Sequence, residues 1–338
     1  MRHLLIGCLL LLTVVACIDQ ITLPINNRQA YLVVEGLITN EPPPYTVRLT
    51  FTNPVGQPGA NSPVRYTQQA LVKLTDDSGR TTQLADQGQG VYQTLDSTFR
   101  GQVGRAYSLS VQLADGSRYV SAPERMPAVP AIDSITASVA RTSNFSLPYT
   151  IAYSVYVRDP AQEKNFYCWR GSGYTIRLSV GDWCDSNRVS RCNNRCWTPY
   201  SSNQFELFSD AYTNGNAIRG RMVLQIPIYA TGPQLAEIQQ YGITQSYYQF
   251  LQLYQQEQVR TGSIFDPLPT GLLGNLVSVT DPTQRARGYF AVSSLTRNYD
   301  YSSPFYGALT SYLSSLPLPP RDCRDTYGQI PVMLPEGW

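Results

Sequence analysis

The chain has 338 residues, a net charge of +2, only 15% charged residues and a single histidine, His3. His3 sits in a segment that reads as a cleaved leader, so the exported chain works without imidazole, which excludes Ser-His-Asp and Cys-His relays and histidine-ligated metal sites. No Lys/Arg run is present, so neither a nucleic-acid groove nor a polybasic membrane patch is expected. Tyr, Gly and Pro number 24 each, a composition of short strands and turns, and roughly 320 exported residues leave room for two domains.

Met1-Arg2-His3 is a short basic start, followed by an apolar run from Leu4 to Val15. A bilayer span needs ~20 apolar residues, so this run suits a secretory signal instead. It ends in Val14-Val15-Ala16-Cys17, which resembles the lipobox of bacterial lipoproteins. That resemblance implies cleavage after residue 16 and a Cys17 whose sulfur carries diacylglycerol and whose amine is acylated, with palmitate-type chains. Two or three chains anchor stably where one does not. Residues 17–30 then read as a lipidated tether. Asp19, close behind the anchor, resembles surface-export signals, so the expected location is the outer membrane, with the cell surface favoured over the periplasmic face.

Residues 31–127 read as an N-terminal β-sandwich of Ig-like or transthyretin-like kind. Tyr31–Ile38 and Tyr45–Phe51 alternate on either side of a Pro42-Pro43-Pro44 break. Ala70–Thr75 runs into the turn Asp76-Asp77-Ser78-Gly79, and further strands are expected around Gly90–Tyr92, Gly104–Leu113 and Ser117–Ser121. Strands about ten residues apart with turn signals between them argue for such a sandwich.

Met126-Pro127-Ala-Val-Pro130 is a proline-rich joint, and 128–338 reads as a second β-rich domain with one inserted helix over 243–260. Strands are expected at 132–139, 150–157, 166–180, 221–229 and 288–293, with Pro227 marking a sheet edge. Within the helix, Ile243, Tyr247, Leu251 and Tyr254 share one face, Thr244 can cap the start and Gly262 the end. Such an aromatic stripe is expected to face a core. In the loop beyond, Pro267 and Pro269 fix φ, Asp266 can bond backbone amides and Gly274 permits a positive φ.

Beyond the leader and the anchor, the cysteines are Cys168, Cys184, Cys192, Cys196 and Cys323. In an oxidising compartment they should pair, with one left over. Connectivity stays open, with one bridge inside 184–196 and another joining Cys168 to Cys323 as the working expectation. The spacing 184–192–196 does not match structural zinc knuckles. Trp169, Trp183 and Trp197 each adjoin a cysteine, and 182–199 reads as a stapled loop. This loop is the best candidate contact surface, although tryptophan packed on a disulfide is the simpler reading.

Two stretches carry a family resemblance. Leu32-Val-Val-Glu-Gly-Leu-Ile-Thr-Asn40 with Pro44-Tyr45-Thr-Val-Arg-Leu49, and Gly262-Ser-Ile-Phe265-Asp266-Pro267 with Gly274-Asn275 and Gly288-Tyr289-Phe290, resemble the signatures of the DUF4249 family of Bacteroidota lipoproteins. The resemblance implies a protein encoded near TonB-dependent outer-membrane transporters, and so an accessory or binding subunit of nutrient uptake. Phe265 and Asp266 join the possible contact surface, although a structural loop is favoured there. Scattered carboxylates and the absence of a phosphate loop argue against an enzyme, and no cofactor or metal is expected. A structural envelope component is the alternative, and a carboxylate-dependent glycoside hydrolase the remoter one.

Overall fold

The computed structural model describes residues 30–53, 63–143, 149–179, 195–202, 204–259, 272–302 and 309–316, with single residues 307 and 323. Strand β1 (Leu32–Ile38) pairs antiparallel with β2 (Thr46–Phe51), which also carries the short β3 (Arg65–Tyr66). Next come β4 (Leu71–Asp76), β5 (Thr81–Asp86), β6 (Val91–Thr94), β7 (Ala106–Gln112), β8 (Arg118–Ser121) and β9 (Glu124–Arg125). The turn residues between β4 and β5 act as their chemistry dictates. Asp76 Oδ1 accepts the Ser78 and Arg80 amides at 2.9 and 3.0 Å, closing the hairpin.

The second half contains β10 (Ser134–Arg141), β11 (Tyr149–Arg158), β12 (Phe166–Leu178), β13 (Arg195–Ser201), β14 (Glu206–Ser209), β15 (Ala217–Pro227) and β16 (Gln234–Gly242). Helix α1 (Gln245–Gln258) follows, then β17 (Leu276–Ser278), β18 (Arg287–Val292), β19 (Ser294–Ser302) and the short α2 (Leu309–Ser314). The protein is mainly β, as its composition predicts.

Three sheets result. The largest follows the order β17-β8-β7-β4-β5-β6-β2-β1-β18, with β3 and β9 attached to β2 and β7. Its two end strands approach each other, giving a nearly closed, barrel-like sheet. One apolar cluster fills it, from Leu32, Val34 and Leu49 through Leu74, Tyr92 and Leu109 to Leu276 and Phe290. A second sheet runs β10-β11-β15 and a third β13-β12-β16-β19, with β14 beside β12. These two share a core built on Ile151, Tyr153, Trp169, Leu224, Ile226 and Ile238.

The joint at 126–133 is free of strand, as its prolines predict, but the chain does not stay on the far side of it. β17 pairs with β8, and β18 pairs in parallel with β1, so residues 276–292, placed in the second domain by sequence, complete the sheet of the first. Side-chain chemistry at Asn275 helps close that sheet. Its amide donates to the Phe290 carbonyl at 2.8 Å and accepts the Phe290 N–H at 2.9 Å. Gly274 lacks the positive φ expected of it. Its need for glycine is proximity, since a Cβ there would sit 2.3 Å from the Gly288 carbonyl oxygen.

The sequence reading places no strand at β5, β13, β14, β16, β17 or β19, nor at the two-residue β3 and β9. Residues 195–199, expected in a stapled loop, belong to β13 and pair with β12, Pro199 being tolerated because β13 is an edge. Strand β16 was hidden by its glutamines, of which Gln234 and Gln240 are fully buried. Pro227 lies in β15, which is an edge strand as expected.

Candidate functional site

A cleft of about 1220 Å³ opens where the two halves meet. Its floor is the outer face of β2, β1 and β18. Because β1 sends Leu32, Val34 and Ile38 into the core, the alternation of a strand turns Val33, Glu35 and Leu37 outward into the cleft. Thr46 and Arg48 join them from β2, and Arg287 and Tyr289 from β18. One wall is α1, which presents Tyr247, Phe250, Leu251 and Tyr254. Arg170 of β12 and residues 201–205 complete the lining.

Thr244 caps α1 as expected, its hydroxyl accepting the Tyr247 N–H at 3.2 Å, while the helix stops at Val259. Gly262, the expected end, lies outside the described residues. Ile243 and Leu251 are buried against Cys168, as a core-facing stripe requires, but Tyr254 is 39% exposed and stacks on Phe205 over the cleft. The stripe therefore divides between core and cleft.

The cleft carries three guanidinium groups, Arg48, Arg170 and Arg287, against one lining carboxylate, Glu35. Among the described residues none of the three lies within 4 Å of a carboxylate oxygen. Arg170 instead sits 5.9 Å from the ring centres of Phe205 and Tyr241, and Arg287 lies 4.8 Å over Tyr31. Tyr289 forms the corner between floor and wall, its ring 4.9 Å from those of both Tyr247 and Phe250. Burial pushes the phenols of Tyr247 and Tyr289 well above the ordinary tyrosine value, and the Glu124 carboxylate adds to the shift at Tyr289. Both therefore stay neutral at physiological pH. An arginine- and ring-lined cleft of this size can take a small anion that also offers a flat face.

Glu124 holds this corner together. It is buried, and its carboxylate accepts the hydroxyls of Thr244 at 2.8 Å, Ser246 at 3.0 Å and Tyr289 in a short contact. Strand β9, the start of α1 and β18 thus converge on one side chain. Asn40 and Arg297 add further links between the halves. Asn40 exchanges hydrogen bonds with the Leu295 backbone, while Arg297 pairs with both Glu41 and Glu237.

The residues singled out by sequence fare differently. Trp169 is fully buried, its indole N–H donating to Gln240 at 2.8 Å, and Trp197 is 6% exposed beside the Cys196–Cys323 bridge, so neither belongs to an outward platform. That bridge corrects the expected pairing. Cys196 takes Cys323, with Cα atoms 5.8 Å apart, and Cys168 is a free buried thiol under α1. Cys168 lies on the same face of β12 as Ile176, which packs on the bridge, but eight residues earlier along the strand, under α1 rather than beside Cys196. Burial pushes the Cys168 thiol up to about 12, so it stays protonated and inert. Cys17, Trp183, Cys184, Cys192, Phe265 and Asp266 lie outside the described residues.

Sequence reasoning missed Arg48, Arg170, Arg287 and Glu124. Their only signal was residue type at outward strand positions, since the cleft partners come from distant parts of the chain. Among the described residues no helix is long and apolar enough to cross a membrane, and no group of three His, Cys, Asp or Glu side chains is gathered to hold a metal.

No curated protein matches the chain. The family model described as a domain of unknown function, DUF4249, matches residues 18–298, a span that includes both signature stretches, the cleft floor, α1 and the Asn275–Phe290 closure. The chain is a member of the DUF4249 family.

Proposed function

We propose that this protein is a non-catalytic binding subunit, held at the outer membrane by lipid on Cys17 and serving a TonB-dependent nutrient-uptake system. The cleft is the observation that carries the binding role. It is roomy enough to admit a small molecule, and its arginines have no carboxylate partner among the described residues. We assign it an anionic solute with a ring that can lie on Phe205, Tyr254 or Tyr289.

An aromatic sulfonate, 8-anilinonaphthalene-1-sulfonate, is a direct probe of that chemistry. Loss of one charge-assisted contact in Arg170→Ala is expected to weaken its binding about tenfold with the fold intact. Equal affinity in wild type and variant would remove Arg170 from the site. The membrane assignment has its own check. Affinity purification of the detergent-solubilised chain through a C-terminal tag should recover a large β-barrel transporter, and Cys17→Ser should move the protein into the soluble fraction. Repeated purification without such a transporter would leave the envelope-structural alternative, and a Cys17→Ser chain still bound to membranes would overturn the anchor.

A further inference from the structure

The far end of the second module brings two carboxylates together. Asp159 follows β11, Asp210 follows β14, and both are buried, Asp210 completely. Asp159 is satisfied, its Oδ1 accepting the Tyr167 hydroxyl at 2.6 Å and its Oδ2 the Gly215 N–H at 2.9 Å. Asp210 fixes its loop through the main chain, donating to the Asn165 carbonyl at 3.2 Å and accepting the Thr213 N–H at 2.6 Å. Neither of its carboxylate oxygens has a hydrogen-bond partner. That carboxyl group faces Asp159, close enough for burial and the Asp159 charge to lift it above the usual carboxylate range.

The two loops cannot easily separate to relieve this pairing. Gly215 has φ +77 and packs so closely on Ala161 that an added Cβ would stand 2.6 Å from the alanine Cβ. A proton on Asp210 would remove one charge but leave an oxygen still unpartnered in a buried place. A cation seated between the carboxylates answers both needs at once. Two carboxylates offer oxygen donors, which select a hard cation, and calcium accepts six to eight oxygens in flexible geometry.

We propose that Asp159 and Asp210 form a calcium site that clamps the 159–165 loop to the 210–216 loop. Main-chain carbonyls of those loops and water complete the shell. With two carboxylates only, affinity belongs in the range of extracellular calcium modules, about 10⁻⁴–10⁻³ M. The site is independent of the cleft and of the uptake role.

Terbium(III), an oxygen-seeking substitute for calcium, luminesces when a neighbouring tyrosine is excited, and Tyr167 stands directly on Asp159. Titrated into the full chain in detergent, it should give saturable emission that calcium chloride displaces. In Asp210→Asn that emission should fall at least about tenfold, consistent with loss of a ligand from a two-carboxylate site. Calcium at several times its dissociation constant should also raise the wild-type Tm by a few degrees over a chelator control, a shift the variant lacks. A wild type whose Tm ignores calcium overturns the proposal even if the variant fails to fold. So does terbium emission that survives Asp210→Asn. An unresponsive wild type beside a more stable variant would assign the pair to a shared proton instead.

Discussion

Replacing Glu124 with alanine should destabilise the protein by about 2–4 kcal/mol, read as a lower denaturant midpoint. The carboxylate is buried and receives three hydroxyls, from Thr244, Ser246 and Tyr289. Truncation strands the buried Tyr289 hydroxyl, which costs about 1–3 kcal/mol, and removes the charged acceptor of the half-buried Thr244 and the exposed Ser246. It also removes a negative charge from the start of α1, where the helix dipole favours one. Glu124→Gln keeps the shape and one acceptor oxygen, so a smaller loss of about 1–2 kcal/mol is expected. The cleft should suffer with it, because Tyr289 and α1 form its corner. An alanine variant within about 0.5 kcal/mol of wild type, the range of neutral surface changes, would show that Glu124 does not join the two halves.

Gly288→Ala is the second large effect. Gly288 has φ +74, in the left-handed region, and lies opposite Val34 in the parallel β1–β18 pair. A Cβ there would sit 2.2 Å from the Val34 carbonyl oxygen, a backbone atom that cannot step aside. The variant must either strain the residue or pull β18 off β1, at a cost of about 3 kcal/mol or more. β18 carries Phe290 into the core and Tyr289 into the cleft, so both should loosen together. Hydrogen exchange at the amides of 287–292 is the sensitive measurement, and protection equal to wild type would refute the geometric reading.

These two sites explain what the family signature residues do. By sequence, Gly274 belongs to a loop with a choice between rigid structure and contact surface, and Gly288-Tyr289-Phe290 to a strand. In the fold they are the closure of the large sheet. Asn275 pairs with Phe290 through its side chain, Gly274 passes close under Gly288, and Gly288 lets β18 lie against β1. Tyr289, between them, is the one that reaches the cleft.

By itself the sequence determined the mainly β class, most strand positions, the hairpin turn after β4, the edge placement of Pro227, the Thr244 cap and family membership. Those are local properties: alternation, turn chemistry and capping act within a few residues of chain. Tertiary structure alone decided where the chain returns. Strand β16 escaped notice because Gln240 looks solvent-facing until its partners are known. Trp169 and the Pro130 carbonyl satisfy it from 71 and 110 residues away. The pairing of Cys196 with Cys323 spans 127 residues, and Cys168 misses it because it stands eight residues away along β12 from Ile176, which packs on the bridge. The cleft was illegible for the same reason. Arg48, Arg170 and Arg287 are unremarkable outward residues on three strands, and a site arises only because sheet closure and α1 bring those strands to one wall.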